Sequence, residues 1–182
     1  MDVCDSIAVI GAYADNEAGV DAGAAHVFLL ENDIWVEYQK IMASDAEDFE
    51  YFGHQVAIDG TTILVGSQKG YDNGNYTGAA YVFTLSNETW SEEAILVSDD
   101  LEPLDNFTSD IAIQDETVVI GAEEEGELIS GAVYVFQHGV EGWNQTQKIT
   151  IPGEQGYNFS FGRVLILSLI HISEPTRLRR NS

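Results

Sequence analysis

The sequence predicts an all-β fold assembled from copies of one four-stranded unit. Three observations carry that prediction. First, the chain repeats itself. GAAHVF begins at Gly23, GAAYVF at Gly78 and GAVYVF at Gly131, at intervals of 55 and 53 residues. AVIGA, ILVGS and VVIGA end at Ala12, Ser67 and Ala122, and a lone tryptophan follows each GA(A/V)xVF string, at Trp35, Trp90 and Trp143. A fixed internal period marks repeat architectures, whereas a β-sandwich lacks one. Second, the 17 Gly and 3 Pro stand beside 8 Tyr, 8 Phe and 3 Trp, a composition suited to strands joined by tight turns. Third, one segment of each copy is apolar on both faces: Ile63, Leu64 and Val65, then Val118, Val119 and Ile120. Such a strand is sandwiched between layers.

The middle copy shows each element in turn. Its first strand is GHQVAI, beginning at Gly53 and ending at Ile58. Asp59-Gly60 then makes a tight hairpin, because glycine accepts the positive φ that such a turn needs. The second strand is TTILVG and the third AAYVF, both largely apolar. The fourth begins at Trp90 and mixes acids with apolar residues in SEEAILV, as an outer strand should. Four-stranded sheets repeated radially, none able to bury its faces alone, describe the blades of a β-propeller. The expectation is a partial β-propeller of about three blades in an open arc.

The string FGHQVAIDGTTILVGS, from Phe52 to Ser67, followed by GAAYVF and Trp90, resembles the FG-GAP repeat of integrin-α-type β-propellers. It is most similar to the variety written FGxSVAIDGDTxxVGAP in microbial and protist surface proteins. The resemblance covers about residues 5–164. It sets blades at about 5–51, 52–106 and 107–160, with a further blade starting at 161–164. Two departures stand out. The proline of GAP is absent from all three copies, where Ala12-Tyr13, Ser67-Gln68 and Ala122-Glu123 occur, and the third junction reads Phe107-Thr108 rather than Phe-Gly. The resemblance implies an extracellular or cell-surface module for recognition or adhesion, without catalytic activity. The alternatives are a structural acidic surface protein of a salt-adapted organism and a propeller appended to a secreted enzyme.

Both ends depart from the repeat. The chain is expected to open on a second strand, SIAVIGA, and to close on a first strand, FGRV, ending at Val164. Residues 165–182 include LSLIHISEPTR, which resembles a translated sequencing adaptor, and three of the seven basic residues. This tail is expected to be non-native and is set aside.

The formal charge of −24 repels nucleic-acid phosphates and anionic membranes and favours cations or basic partners. Nucleic acid is therefore excluded as a partner, and a protein or cationic ligand is expected. No run reaches the ~20 apolar residues of a membrane helix, so no membrane insertion is expected. Cys4 is the sole cysteine, which excludes an internal disulfide.

Integrin-type blades, as the resemblance implies, hold calcium in a DxDxDG-like loop between the first and second strands. Calcium takes six to eight oxygen ligands, which requires a loop of about nine residues or more. Here the connections are Asp59-Gly60 and Asp115-Glu116, so those metal residues do not carry over. Weak calcium candidates lie instead between the second and third strands: Asp15, Asn16, Glu17 and Asp21 in the first copy, and Asp72, Asn73 and Asn75 in the second. Glu123, Glu124, Glu125 and Glu127 occupy the third. The ligand spacing differs in every copy, as in solvated turns. No cofactor is expected. These loops, at 13–21, 68–77 and 123–130, differ most between copies and carry Tyr71 and Tyr76, so they are the expected partner-binding surface.

Catalytic motifs are absent: no GxSxG, HExxH or phosphate-cradling glycine loop occurs. Of the histidines, His26 takes the place of Tyr81 and Tyr134. His54 is placed on a first strand lining the channel, and His138 has no motif around it. Asn87, Asn106, Asn144 and Asn158 each open an N-x-[ST] sequon, marking candidate glycosylation sites in a eukaryotic secretory pathway.

Overall fold

A computed structural model describes residues 1–68, 77–101, 105–123 and 131–150. Twelve strands form three antiparallel sheets of four. The first sheet contains β1 (Asp2–Cys4), β2 (Ile7–Ala12), β3 (Ala24–Glu31) and β4 (Ile34–Ile41). The second contains β5 (Gln55–Asp59), β6 (Thr62–Ser67), β7 (Ala79–Ser86) and β8 (Thr89–Leu96). The third contains β9 (Phe107–Gln114), β10 (Thr117–Ala122), β11 (Ala132–Gly139) and β12 (Gly142–Ile149). Strand order follows sequence order in each sheet, and the described residues contain no helix. The architecture is a partial β-propeller of about three blades.

Register explains the repeat residue by residue. Leu30 pairs with Trp35, Leu85 with Trp90, and His138 with Trp143, so the three tryptophans are equivalent. A bulge recurs after Val27, Val82 and Val135 and leaves Tyr38, Glu93 and Thr146 as the extra residues. Bulges re-aim side chains. Here the Tyr38 hydroxyl donates to the Glu88 carbonyl of the next blade, and Glu93 Oε1 lies 3.0 Å from His138 Nε2 of the next.

Each sheet has a leading face toward the preceding blade and a trailing face toward the following one. Val9, Ala25, Val27 and Ile41 on the first trailing face meet Ile63, Val65, Tyr81, Phe83 and Trp90 on the second leading face. Leu64, Val82 and Leu96 meet Ile120, Tyr134 and Phe136 in the same way. Small and β-branched residues thus oppose aromatic ones, which fills the gap between blades without overpacking. Phe52 plugs the first interface, edge-on to Tyr81 and Phe83 at 5.2 and 6.0 Å, and Phe107 plugs the second against Tyr134 and Phe136.

Two details differ from the sequence reading, and the departure at Phe107-Thr108 proves to be accommodated. The chain does not open on a second strand: Asp2–Cys4 pairs with β2, and the Asp2 carboxylate accepts the Ile58 amide at 2.9 Å, pinning this stub to the next blade. Three residues are too few to register as a periodic strand. The middle blade's first strand starts at Gln55 rather than Gly53. Gly53 has φ +89° and closes the approach to Ala24, so His54 sits in the turn before the strand. At the Phe107-Thr108 junction, Thr108 holds the same left-handed conformation at φ +72°, with its hydroxyl donating to the Ser67 carbonyl at 3.0 Å.

The expected tail at 165–182 and the closing strand at 161–164 lie outside the described residues.

Candidate recognition surface

The loop joining β2 to β3 does not stand alone. It docks on the crossover, residues 42–54, that carries the chain from β4 to β5. The Val20 amide donates to Asp48 Oδ1 at 2.8 Å, Phe49 N to the Val20 carbonyl at 2.6 Å, Tyr51 N to the Asp21 carbonyl at 3.0 Å, and Phe52 N to the Ala22 carbonyl at 2.9 Å. Asp21, Phe49 and Tyr51 hold positive φ angles of 49°, 62° and 54°. That zigzag buries Glu50 and Phe52 while Asp48 and Phe49 stay exposed. Tyr13 lies across the junction, its ring 5.8 Å from the His54 ring and 6.3 Å from that of Tyr51. One surface therefore exposes Tyr13, Val20 and Phe49 among Glu17, Glu47 and Asp48.

Three of the four candidate ligands of the first loop, Asp15, Asn16 and Glu17, use their side chains to hold the loop itself, and Asp21 takes part through its backbone. Lys40 Nζ donates to both Asp15 oxygens at 2.8 and 2.9 Å and to Glu17 Oε2 at 2.6 Å. The Lys40 hydrogen bond, then that from the Glu17 amide, holds the Asp15 carboxyl below its ordinary value, and the same contacts raise the Lys40 ammonium. Asn16 Oδ1 accepts the Asp21 amide at 2.9 Å. Among the described residues, no group of three or more His, Cys, Asp or Glu side chains is placed to hold a metal ion. The strand-one to strand-two connections are two residues each, at 5–6, 60–61 and 115–116. Asp72, Asn73, Asn75, Glu124, Glu125 and Glu127 lie outside the described residues, as do Tyr71 and Tyr76.

The sequons fall in different settings. Asn87 occupies the exposed β7–β8 hairpin, where Asn87 and Glu88 both have positive φ. Asn144 is exposed on β12, beside the hairpin that joins β11 to it. Asn106 is half-buried, its Oδ1 accepts from Gln68 Nε2 at 3.1 Å, and the hydroxyl of its sequon, on Thr108, is buried. Asn158 lies outside the described residues. A further tripeptide, Asn75-Tyr76-Thr77, also matches the pattern, and its asparagine lies outside them too.

The histidines are dispersed. His26 pairs in register with Ile10 as Tyr81 does with Val65, and its Nδ1 lies 2.6 Å from Glu37 Oε1. His54 is exposed against Tyr13 rather than on a channel-lining strand.

Composition and motif search missed a polar latch beneath this surface. The Tyr81 hydroxyl lies 2.6 Å from Glu50 Oε1 and 2.9 Å from Asp45 Oδ1, and Glu50 is almost wholly buried. Burial, then the Glu50 hydrogen bond, raises the Tyr81 hydroxyl far above its ordinary value. One repeat later, Asp105 takes the place of Glu50 and is likewise buried. Asp100 takes the place of Asp45 and accepts from Lys148 Nζ at 2.7 Å. Burial alone would raise the Asp100 carboxyl, but hydrogen bonds from Lys148 and Ser98 outweigh it and hold it below its ordinary value. The signal was present as an acid two residues before Phe52 and before Phe107.

The model of the FG-GAP repeat matches residues 35–83 and 90–136, more than half of the chain. Both matches begin at a tryptophan and run through the following interface phenylalanine and hairpin into the next third strand. No curated protein matches the chain. Among the described residues, no helix is long and apolar enough to cross a membrane.

Proposed function

The chain belongs to the FG-GAP repeat family, and from that premise we propose that it is a non-catalytic recognition or adhesion module of the cell surface or extracellular space. FG-GAP repeats are typical of surface proteins and form propellers that are generally non-catalytic. The partner in this reading is a protein or other ligand with a cationic face. The observation that carries the reading is the joined surface of the β2–β3 loop and the 42–54 crossover. Exposed Tyr13, Val20 and Phe49 supply apolar contact, and Glu17, Glu47 and Asp48 around them supply charge. Aromatic anchors within a polar rim are the usual anatomy of a protein-binding patch. A rigid scaffold beneath variable loops is the usual way to present one. Calcium and glycans are accessory in this reading: Asn87 and Asn144 lie at or beside the hairpins joining third to fourth strands, away from the joined loops.

The test is capture of surface proteins by the immobilised chain at low and high ionic strength, with Tyr13→Ser and a Glu17→Gln/Glu47→Gln double variant beside it. A steered partner binds less as salt rises past the Debye regime, and both variants lower its capture. Unchanged capture by both variants would remove this surface from the account.

A further inference from the structure

The two junctions between blades share one plan but are closed differently. At the first, the Gln39 side chain brackets the backbone of Trp90: its Nε2 donates to the Trp90 carbonyl and its Oε1 accepts the Trp90 amide, each at 2.8 Å. Beside it, Ser44 donates from its amide and its hydroxyl to the two Glu92 oxygens, at 2.9 and 2.7 Å. Register identifies the equivalents at the second junction. Ala94 pairs with Val82 as Gln39 does with Val27, and Gln145 pairs with Phe136 as Glu92 does with Phe83. Asp99 follows Leu96 at the spacing at which Ser44 follows Ile41. The second junction therefore lacks the bracket, and Gln145 and Asp99 stand where the first has the clasp of Glu92 and Ser44.

A groove of about 450 Å³ lies at this second junction, lined by Leu96, Ser98 and Asp99 of one blade and Phe136, Trp143 and Gln145 of the next. Both walls are described blades, and β8 and β12 are the outermost strands of their sheets, so the groove opens at the periphery. Trp90 is 3% exposed, whereas Trp143 is half-buried, and its indole Nε1 is buried with no hydrogen-bond partner among the described residues. Buried donors in a finished interface are almost always satisfied. The Trp143 backbone faces outward as well. The amides of Leu85 and His138, which stand opposite the two tryptophans, donate to Thr61 and Glu116 on the side of the second strand. Such pairs exchange no bonds, so each tryptophan turns its own N–H and C=O away from the third strand. Gln39 takes both groups of Trp90, and Ala94 has no polar atom with which to take those of Trp143.

The missing plug states what would complete the groove. The Gln39 amide offers one donor and one acceptor together, and a residue of an added strand offers the same pair from its own N–H and C=O. Charge adds the second requirement. Lys148 Nζ holds Asp100 at 2.7 Å, which leaves Asp99 as the carboxylate of this wall for an incoming cation. A guanidinium forks onto a carboxylate and lies flat on an indole, and the formal charge of −24 draws a basic segment in. We propose that the junction between the second and third blades binds an extended segment of a partner protein, one residue of which brackets the Trp143 backbone in place of the Gln39 amide while its arginine side chain meets Asp99. This site is separate from the joined loops of the first junction.

The probe is acetyl-arginine N-methylamide, titrated into the intact chain and followed by proton–nitrogen correlation NMR. Trp143→Phe assigns the indole resonance of Trp143 by its disappearance. That resonance and the Trp143 backbone amide should shift saturably, while the Trp90 indole stays in place. Ala94→Gln rebuilds the plug of the first junction and should weaken binding about tenfold or more, as should Asp99→Asn. Asp99 is exposed, so its substitution spares the fold and decides the matter should Ala94→Gln fold poorly. Acetyl-alanine N-methylamide, which lacks the guanidinium, should bind about tenfold more weakly and be indifferent to Asp99→Asn. Tyr13→Ser should leave all these shifts unchanged, which separates this site from the joined loops. The absence of a saturable shift at Trp143 overturns the proposal, as does wild-type binding by a folded Ala94→Gln or by Asp99→Asn. A Trp143 shift produced by N-acetylglucosamine at lower concentration than by the arginine probe overturns it too, because the groove would then be a saccharide site.

Discussion

Tyr81→Phe removes one oxygen from a buried polar contact between blades and leaves the packing in place. The ring of Tyr81 stays edge-on to Phe52 at 5.2 Å. What is lost is the hydroxyl, 2.6 Å from a Glu50 carboxylate that is 1% exposed. A hydrogen bond to a charged group contributes about 1.5–3 kcal/mol, and an acceptor left short of a partner in the interior costs a comparable amount. Glu50 retains the Glu47 amide at 3.1 Å, so the loss should fall near ~2 kcal/mol rather than at the level of an unpaired buried charge. Urea unfolding measures it as a shift of the midpoint with an unchanged slope. Repeating the substitution in a Glu50→Gln background isolates the pair, and coupling of about 1 kcal/mol or more is expected. Tyr38→Phe is the control, since that hydroxyl meets only an exposed carbonyl and its loss should cost under ~1 kcal/mol. A Tyr81→Phe effect no larger than that of Tyr38→Phe, or one unaltered by Glu50→Gln, would refute the latch.

Further outcomes are checked with the same unfolding assay or by mass. Gly53→Ala should cost more than ~2 kcal/mol, because its Cβ would sit 2.2 Å from the Ala24 carbonyl oxygen at a φ of +89°; Gly60→Ala, with open space around it and φ +55°, should cost about 1 kcal/mol. Asp15 and Asp100 have folded values below the ordinary 3.8, so their contribution is present above that pH and is lost as pH falls through it. Stability should therefore drop below about pH 4, and Lys40→Met should flatten the Asp15 share of that drop. Tyr81 has the opposite sign: its folded value is raised above the ordinary 10.0, so its contribution is intact below pH 10 and is lost as pH rises beyond, an effect that Tyr81→Phe should abolish. Expressed through a eukaryotic secretory pathway, Asn87→Gln should remove one glycan mass, while Asn106→Gln should leave the mass distribution of glycans unchanged, since Thr108 is buried.

The blades were legible because their information is periodic. Each strand in this chain either faces a neighbouring sheet or pairs within its own, and the residues that do so recur about every 54 positions, so phase alone located Trp35, Trp90 and Trp143 on one register. What escaped the reading lacks period or length. Asp2–Cys4 is too short to alternate. His54 seemed part of a strand because GHQVAI is continuous in sequence, but the left-handed Gly53 turns the chain before pairing starts. The two hydrogen bonds of the Gln39 side chain to the Trp90 backbone, each at 2.8 Å, leave no periodic mark, because Ala94 stands at that position in the second blade. The crossover carries no alternating apolar pattern that would mark its inward side chains, although Glu50 is among the most buried of the described residues.

That crossover also explains how one short segment can lock blades and remain free to vary. Between Asp48 and Phe52 the backbone turns into positive φ at Phe49 and again at Tyr51, so Glu50 and Phe52 leave on the side opposite to Phe49. Glu50 and Phe52 turn inward, to Tyr81 and to the interface core. Asp48 and Phe49 turn outward, and backbone amides rather than side chains make most of the bonds to the β2–β3 loop. The outward positions can therefore change without touching the latch. Phe49→Asn keeps a residue tolerant of left-handed φ and discards the aromatic contact. Its unfolding midpoint should stay within about 0.5 kcal/mol of the wild type, as expected for an exposed site, while any ligand that uses this surface loses affinity. Inward positions should behave oppositely, with Phe52→Ala costing about 3–5 kcal/mol through the cavity it opens against Tyr81 and Phe83. Equal losses of stability at Phe49 and Phe52 would mean that the segment acts as one packed unit, and the division between scaffold and recognition within it would fail.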